Sequence, residues 1–271
     1  MPGVRDVTPV DRLPGWVTLL RAPNPGPMTL DGTNTWVLRA PGAEFGAVID
    51  PGPLDEGHLA RVAAEGPFLF ILVTHGHFDH VEGAARLSEL LGGTHVLAAD
   101  PAYSIGGVPL DPWESFGGNG LEIQVLDTPG HTTDSVCFAV ECADAQVICT
   151  GDTILGRGST VVAYPDGDLG AYLASLERLS AYENVLMLPG HGPALGDCGA
   201  AAHAYLAHRE QRLAQVRAAM ADGAQTAAAV VDLVYPEIDP AIRFAAEASA
   251  RAQLDYLRRE SPPAPEQLDR L

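Results

Sequence analysis

Apolar residues in this chain follow two patterns. As far as about residue 195 they form short runs separated by Gly, Pro and Asp; beyond that they recur at helical spacing among alanines. The short runs predict strands over 34–38, 45–50, 95–98, 121–127, 136–141, 146–150 and 185–188. The segment FLFILVT over 68–74 is apolar without interruption, the mark of a strand covered on both faces. Helical periodicity falls over 54–65, 81–91 and 171–179, and Gly92-Gly93 stops the second of these. Three further helices are predicted over 203–220, 226–234 and 241–259. The first 20 residues are turn-rich, a Pro/Gly-rich stretch follows over 21–28, and 100–120 reads as a long loop. The pattern predicts an α/β body over 1–199 and a helical appendage over 200–271 that ends in a frayed Pro-rich tail.

Composition narrows the class. The chain has 271 residues, 46% apolar and 19% charged, the usage of a folded globular protein with a sizeable core. No apolar run reaches 18 residues, and the N-terminal stretch lacks a basic segment followed by an apolar one. These features predict a cytoplasmic protein that does not enter membranes. Sixteen arginines, no lysine and 35 acidic residues leave a formal charge of −19, which repels phosphate backbones at long range. Cys137, Cys142, Cys149 and Cys198 form no CxxC pair and are expected as reduced thiols.

The chemistry is concentrated in Thr74-His75-Gly76-His77-Phe78-Asp79-His80, where four metal-binding side chains fall within six residues. They sit where a buried strand gives way to a helix. Imidazole and carboxylate suit zinc, manganese or iron, and the lack of thiolate argues against a closed structural zinc site. Three more strand ends repeat the device: Thr128-Pro129-Gly130-His131, Thr150-Gly151-Asp152 and Leu188-Pro189-Gly190-His191-Gly192. Any one of His131, Asp152 or His191 alone would pass for a turn residue; four strand ends donating to one sheet edge are what a dinuclear site requires. His58, His95, His203 and His208 have no clustered partners and are expected in surface or core roles.

The motifs THGHFDH, TPGH, GD and PGHG resemble the metallo-beta-lactamase superfamily over nearly the whole chain. NPGPMTLDGTNTWVL, GDTILGRGSTVV and PGHGP with a downstream HREQR helix resemble its beta-lactamase-like protein 2 branch. The resemblance implies an αββα sandwich followed by a small winged-helix-like domain. It implies two divalent cations, zinc first, with manganese or iron as alternatives. By the motif, His75, His77 and His131 would hold the first, Asp79, His80 and His191 the second, and Asp152 would bridge them. The implied reaction is hydrolysis by a metal-bridging hydroxide, with Asp79 and Asp152 as the catalytic carboxylates. The expected substrate is a small ester, thioester or lactone. Cleavage of single-stranded RNA, known in that branch, is the alternative, and a mononuclear iron sulfur dioxygenase is a remote one.

Thr74, Thr132, Thr133, Asp134 and Asp50 are placed to orient ligating imidazoles. Arg157, Ser159, Thr160 and Tyr164 follow Asp152 closely and are candidates for contacting substrate. Between residues 200 and 260, seven arginines face eight acids, so the appendage lacks the basic stripe that drives RNA binding. Arg209, Arg212 and Arg217, with Glu210 beside them, read as a solvated helix face. RNA is therefore not favoured by charge, and the oligomeric state is left open.

Overall fold

The computed structural model describes residues 7–143 and 145–260; the Pro-rich tail at 261–271 lies outside the described residues. Two five-stranded sheets make up the body. The first runs in the order β1 (Val17–Arg21), β2 (Asn34–Leu38), β3 (Gly46–Ile49), β4 (Phe68–Leu72) and β5 (Val96–Leu97). The second runs β10 (Leu186–Pro189), β9 (Ala145–Gly151), β8 (Val136–Cys142), β7 (Leu121–Asp127) and β6 (Ser115–Gly118). Each sheet is mixed. β3, β4 and β5 are parallel in one, and β9 and β10 in the other.

Alternation along the strands sorts the core into layers. Trp36, Leu38, Ile49 and Leu72 of the first sheet face Ile123, Val125, Phe138 and Leu188 of the second. The opposite face of the first sheet, with Val37, Val48 and Ile71, packs on Leu59 and Val62 of α1 (Glu56–Ala64) and Leu87 of α3 (Ala84–Leu90). Both faces of β4 are thus covered, which accounts for its unbroken apolar run. The outer face of the second sheet packs on α4 (Leu169–Leu179) and α5 (Cys198–Ala221), and the same cluster continues onto α6 (Ala227–Val234) and α7 (Arg243–Glu260). The result is an αββα sandwich.

Differences from the sequence reading have local causes. β1 lies in the stretch read as turns: it is a half-exposed edge strand paired only to β2, so its pattern is diluted. The helix expected over 81–91 is two, α2 (Phe78–Val81) and α3, parted at Gly83. The Gly83 N–H donates to Gly52 O at 2.9 Å, and a Cβ there would meet Leu59 at 2.7 Å. The 100–120 segment hides β6, which pairs with β7. α5 begins five residues before its predicted start, because the small residues Cys198-Gly199-Ala200 lie against the 180–183 backbone. The last three helices carry no strand among the described residues. All four cysteines are buried and unpaired, as expected. No helix among the described residues is long and apolar enough to cross a membrane.

Candidate metal centre

Six strand ends meet along one edge of the sandwich. Thr33 precedes β2 and Asp50 follows β3. His75, His77, Asp79 and His80 leave β4, while His131, Asp152 and His191 follow β7, β9 and β10. The two sheets are stitched together here: the Asn34 amide donates to Pro189 O and Gly192 O, and the Trp36 indole N–H donates to Pro189 O. All seven ligand-type residues picked from the motifs converge, His75, His77, His131 and Asp152 in one group and Asp79, His80 and His191 in another.

Within the first group, His77 Nδ1 stands 3.0 Å from His75 Nε2 and 3.1 Å from His131 Nε2. Within the second, His191 Nε2 stands 3.3 Å from His80 Nε2 and 3.1 Å from Asp79 Oδ2. Asp152 lies between them. Its Oδ1 is 3.3 Å from His191 Nε2 and 3.5 Å from His80 Nε2, and its Oδ2 is 3.8 Å from His131 Nε2. Gly190 makes room for it, since a Cβ there would sit 2.6 Å from both Asp152 Oδ1 and the His80 ring.

The outer nitrogens explain the inner ones. His131 Nδ1–H donates to Val161 O at 2.8 Å, His80 Nδ1–H to Asp50 Oδ2 at 2.8 Å, and His191 Nδ1–H to Gly32 O at 3.3 Å. His75 Nδ1–H donates to Thr74 Oγ1 at 3.0 Å, and that hydroxyl donates onward to Asp50 at 2.8 Å. In a neutral ring an outer proton leaves a lone pair on the inner nitrogen. Lone pairs of His75, His131, His80 and His191 therefore point into the two donor groups, those of His80 and His191 at each other and at the buried Asp152 Oδ1. Such an arrangement is repulsive until positive charge enters it. Zinc bonds of about 2.0–2.1 Å would set tetrahedral ligand atoms roughly 3.3 Å apart, so the spacing fits such ions.

Without cations, protons take their place. Burial opposes charge on His80, but Asp79, Asp50 and Asp152 outweigh it and raise its pKa well above the ordinary value. His191 is likewise raised to about 9, against burial, chiefly by Asp152. Burial keeps His75 well below the ordinary value and lowers His131 to about 4. Burial alone would raise Asp152, but His191 and His80 hold it well below the usual carboxylate range.

A raised histidine contributes stability that is complete below its unfolded value of about 6.5 and is lost as pH rises through the folded value. The reverse holds for His131, whose contribution is lost as pH falls from about 6.5 towards its folded value. Thermal melts of chelator-treated protein should therefore peak near neutrality, falling towards pH 9 and towards pH 4. Cations displace the protons of His80 and His191, so loading should raise the melting temperature most on the alkaline side. It should also release about one to two protons per chain near pH 7. A chelated protein whose melting temperature is flat from pH 6.5 to 9 would contradict this account.

Of the residues expected to orient imidazoles, Asp50 and Thr74 do so. Thr132 instead bonds Asp134 and Ser135 within the turn that carries His131, and Thr133 bonds Asp166. The substrate candidates separate. Arg157 is taken up in a two-pronged ion pair with Asp31, and Tyr164 is exposed. Thr160 is buried and donates to Asp152 O at 2.7 Å, while Ser159 lines a cavity beside it. Sequence reasoning missed Thr33, whose hydroxyl donates to Asp79 Oδ2 at 2.9 Å and is held by Asn24. It also missed the carbonyls of Gly32 and Val161, for which no side chain gives a signal. The largest departure is Arg209: placed on a solvated face by its neighbours in sequence, it is buried.

A four-layer sandwich with a His/Asp cluster at its strand ends is the scaffold of a metal-dependent enzyme. The Metallo-beta-lactamase superfamily profile matches residues 28–191, and the chain belongs to that superfamily. Atrochrysone carboxyl ACP thioesterase from Aspergillus fumigatus is 31% identical over 89% of this chain and 81% of its own length. The beta-lactamase-like protein 2 homolog of Caenorhabditis elegans is 28% identical over 91% of this chain and 85% of its own. Among solved structures, a beta-lactamase domain protein from Burkholderia ambifaria superposes with a TM-score of 0.76 at 25% identity, covering 94% of this chain and 91% of that one.

Proposed function

We propose that this protein is a dinuclear, zinc-dependent hydrolase of small thioesters, with esters and lactones as the neighbouring substrate classes. The observation that carries the reading is the pair of adjoining donor groups joined by Asp152. His75, His77 and His131 would hold one cation, Asp79, His80 and His191 the other, with one Asp152 oxygen turned to each group. Five imidazoles, two carboxylates and no thiolate suit zinc, with manganese and iron as the other candidates. Bound there, two divalent cations supply Lewis acidity and a water acidified to near-neutral pKa.

The chain's own residues do the positioning. Asp50, Thr74, Val161 and Gly32 fix the imidazole rings by their outer protons, and Thr33 fixes Asp79. Phe78, between ligands His77 and Asp79, is 82% exposed and offers an acyl group an apolar surface at the rim. A thiolate, with an ordinary pKa of about 8.5, departs without obligatory protonation, so no side-chain acid is demanded. A shallow cavity at His77 is lined by Asp100, Asp134 and Asp166, which repels polyanions and supports a small substrate over RNA. The fungal thioesterase relative supports the thioester class.

Zinc- or manganese-loaded protein should release thiol from short acyl thioesters, and chelation should lower the rate at least about 100-fold, about 3 kcal/mol of barrier. Protein shown to hold about two cations per chain that hydrolyses no thioester, ester or lactone, yet cuts end-labelled single-stranded RNA, would overturn the proposal.

A further inference from the structure

Arg209 is 4% exposed in a chain of charge −19, yet no carboxylate among the described residues lies within ion-pairing distance of it. Its Nη2 donates to Thr160 O and its guanidinium lies over the Tyr172 ring, 4.9 Å from the centroid. Its Nε is buried without a partner among the described residues, and so is His208 Nδ1 beside it. One turn further along α5, Arg212 stacks on Tyr235 at 4.4 Å. These three basic side chains border one cavity of about 210 Å³. Met28, Ile238, Ile242 and Ala246 give it apolar walls, and Ser159, Thr160 and Val161 border it on the side of the metal centre. Burial, Arg209 and Arg212 push His208 down to about 4, so the basic groups repel one another with nothing negative to offset them.

A buried guanidinium keeps its charge, and a buried charge calls for a partner. The volume falls below that of a whole-ligand pocket, so it suits one end of a substrate. The same segment also reaches the donor groups: Thr160 Oγ1 donates to Asp152 O, and Val161 O accepts from His131. We propose that this cavity is an anion-recognising subsite, where Arg209 and His208 receive a carboxylate or phosphate and the apolar walls hold the carbon chain next to it. The assignment deepens the thioesterase reading and rests on it for the identity of the rest of the ligand. The anion could be a carboxylate ending the acyl chain or the phosphate of a pantetheine-type thiol.

Four thioesters separate the two sources: hexanoyl and adipyl groups, each on N-acetylcysteamine and on 4′-phosphopantetheine. In the zinc-loaded wild-type protein, the carboxylate or the phosphate should raise kcat/KM at least about tenfold over hexanoyl-N-acetylcysteamine, mainly through KM. Arg209→Gln should bring that ratio to within about twofold of unity, whatever the absolute rates, and Arg209→Lys should keep part of it. If Arg209→Gln does not fold, Arg209→Lys and Arg212→Gln carry the test, each lowering the ratio at least threefold. Should no thioester turn over, calorimetry with the four corresponding thioethers decides: anion-dependent affinity that Arg209→Gln abolishes upholds the subsite without hydrolysis. Equal preference for neutral and anionic compounds, or an anion preference that survives every variant, overturns it.

Discussion

Replacing Asp152 by asparagine should lower kcat for thioester hydrolysis about 10³-fold or more and reduce tightly held zinc from about two ions per chain to about one. The side chain stands alone in its geometry: one oxygen lies 3.3 Å from His191 Nε2, the other 3.8 Å from His131 Nε2, so each faces a different donor group. Its Oδ1 lies 3.3 Å from His191 Nε2 and 3.5 Å from His80 Nε2, so in chelated protein the variant also loses the ion pairs with those rings, and metal content is compared on protein first shown to be folded. Asparagine keeps the shape and the backbone carbonyl that Thr160 bonds. It removes the negative charge, and it replaces one oxygen by an NH₂ group that has no lone pair to offer a cation. Metal content by mass spectrometry and turnover on one thioester test both halves. Two ions retained with turnover within tenfold of wild type would show that Asp152 does not join the groups.

How much of this centre could be read from the sequence depended on what kind of atom does each job. His75, His77, Asp79 and His80 declare themselves because four donors in six residues are rare and their strand is unmistakably buried. His131, Asp152 and His191 gained meaning only as a set, each following a strand and a glycine. The atoms that aim the imidazoles include backbone carbonyls at Gly32 and Val161, and no residue type marks a carbonyl. The burial of Arg209 leaves no mark in the sequence for a related reason. Helical neighbours such as Glu210 report exposure around one helix, whereas the 159–161 segment that covers Arg209 arrives from 49 residues away. Fold layers were legible wherever burial was two-sided, as at β4. The edge strands β1 and β6 were lost because one neighbour and partial exposure leave little hydrophobic signature.

Asp50 gives the sharpest separation of folding from metal binding. It is 1% exposed; its Oδ1 accepts from Thr74 N–H, and its Oδ2 accepts from Thr74 Oγ1 and from His80 Nδ1–H, all at 2.8 Å. Asp50→Ala would strand three buried donors at once, so destabilisation of about 3–5 kcal/mol is expected in chemical unfolding. Asp50→Asn preserves the shape and can still accept from the Thr74 amide. Its NH₂ group, turned towards His80, would donate to Nδ1 and move the ring proton to Nε2. That proton would occupy the face His80 turns to Asp79, Asp152 and His191. Asp50→Asn should therefore unfold within about 2 kcal/mol of wild type, the cost of exchanging the two hydrogen bonds at Oδ2 at about 1 kcal/mol each, and still bind the second zinc 10- to 100-fold more weakly. The first zinc should be weakened less, because Asp50 reaches His75 only through the Thr74 hydroxyl. Stepwise zinc titration beside urea unfolding of both variants measures the two effects separately. If Asp50→Asn binds both ions as wild type does, the tautomer of His80 is not set by Asp50.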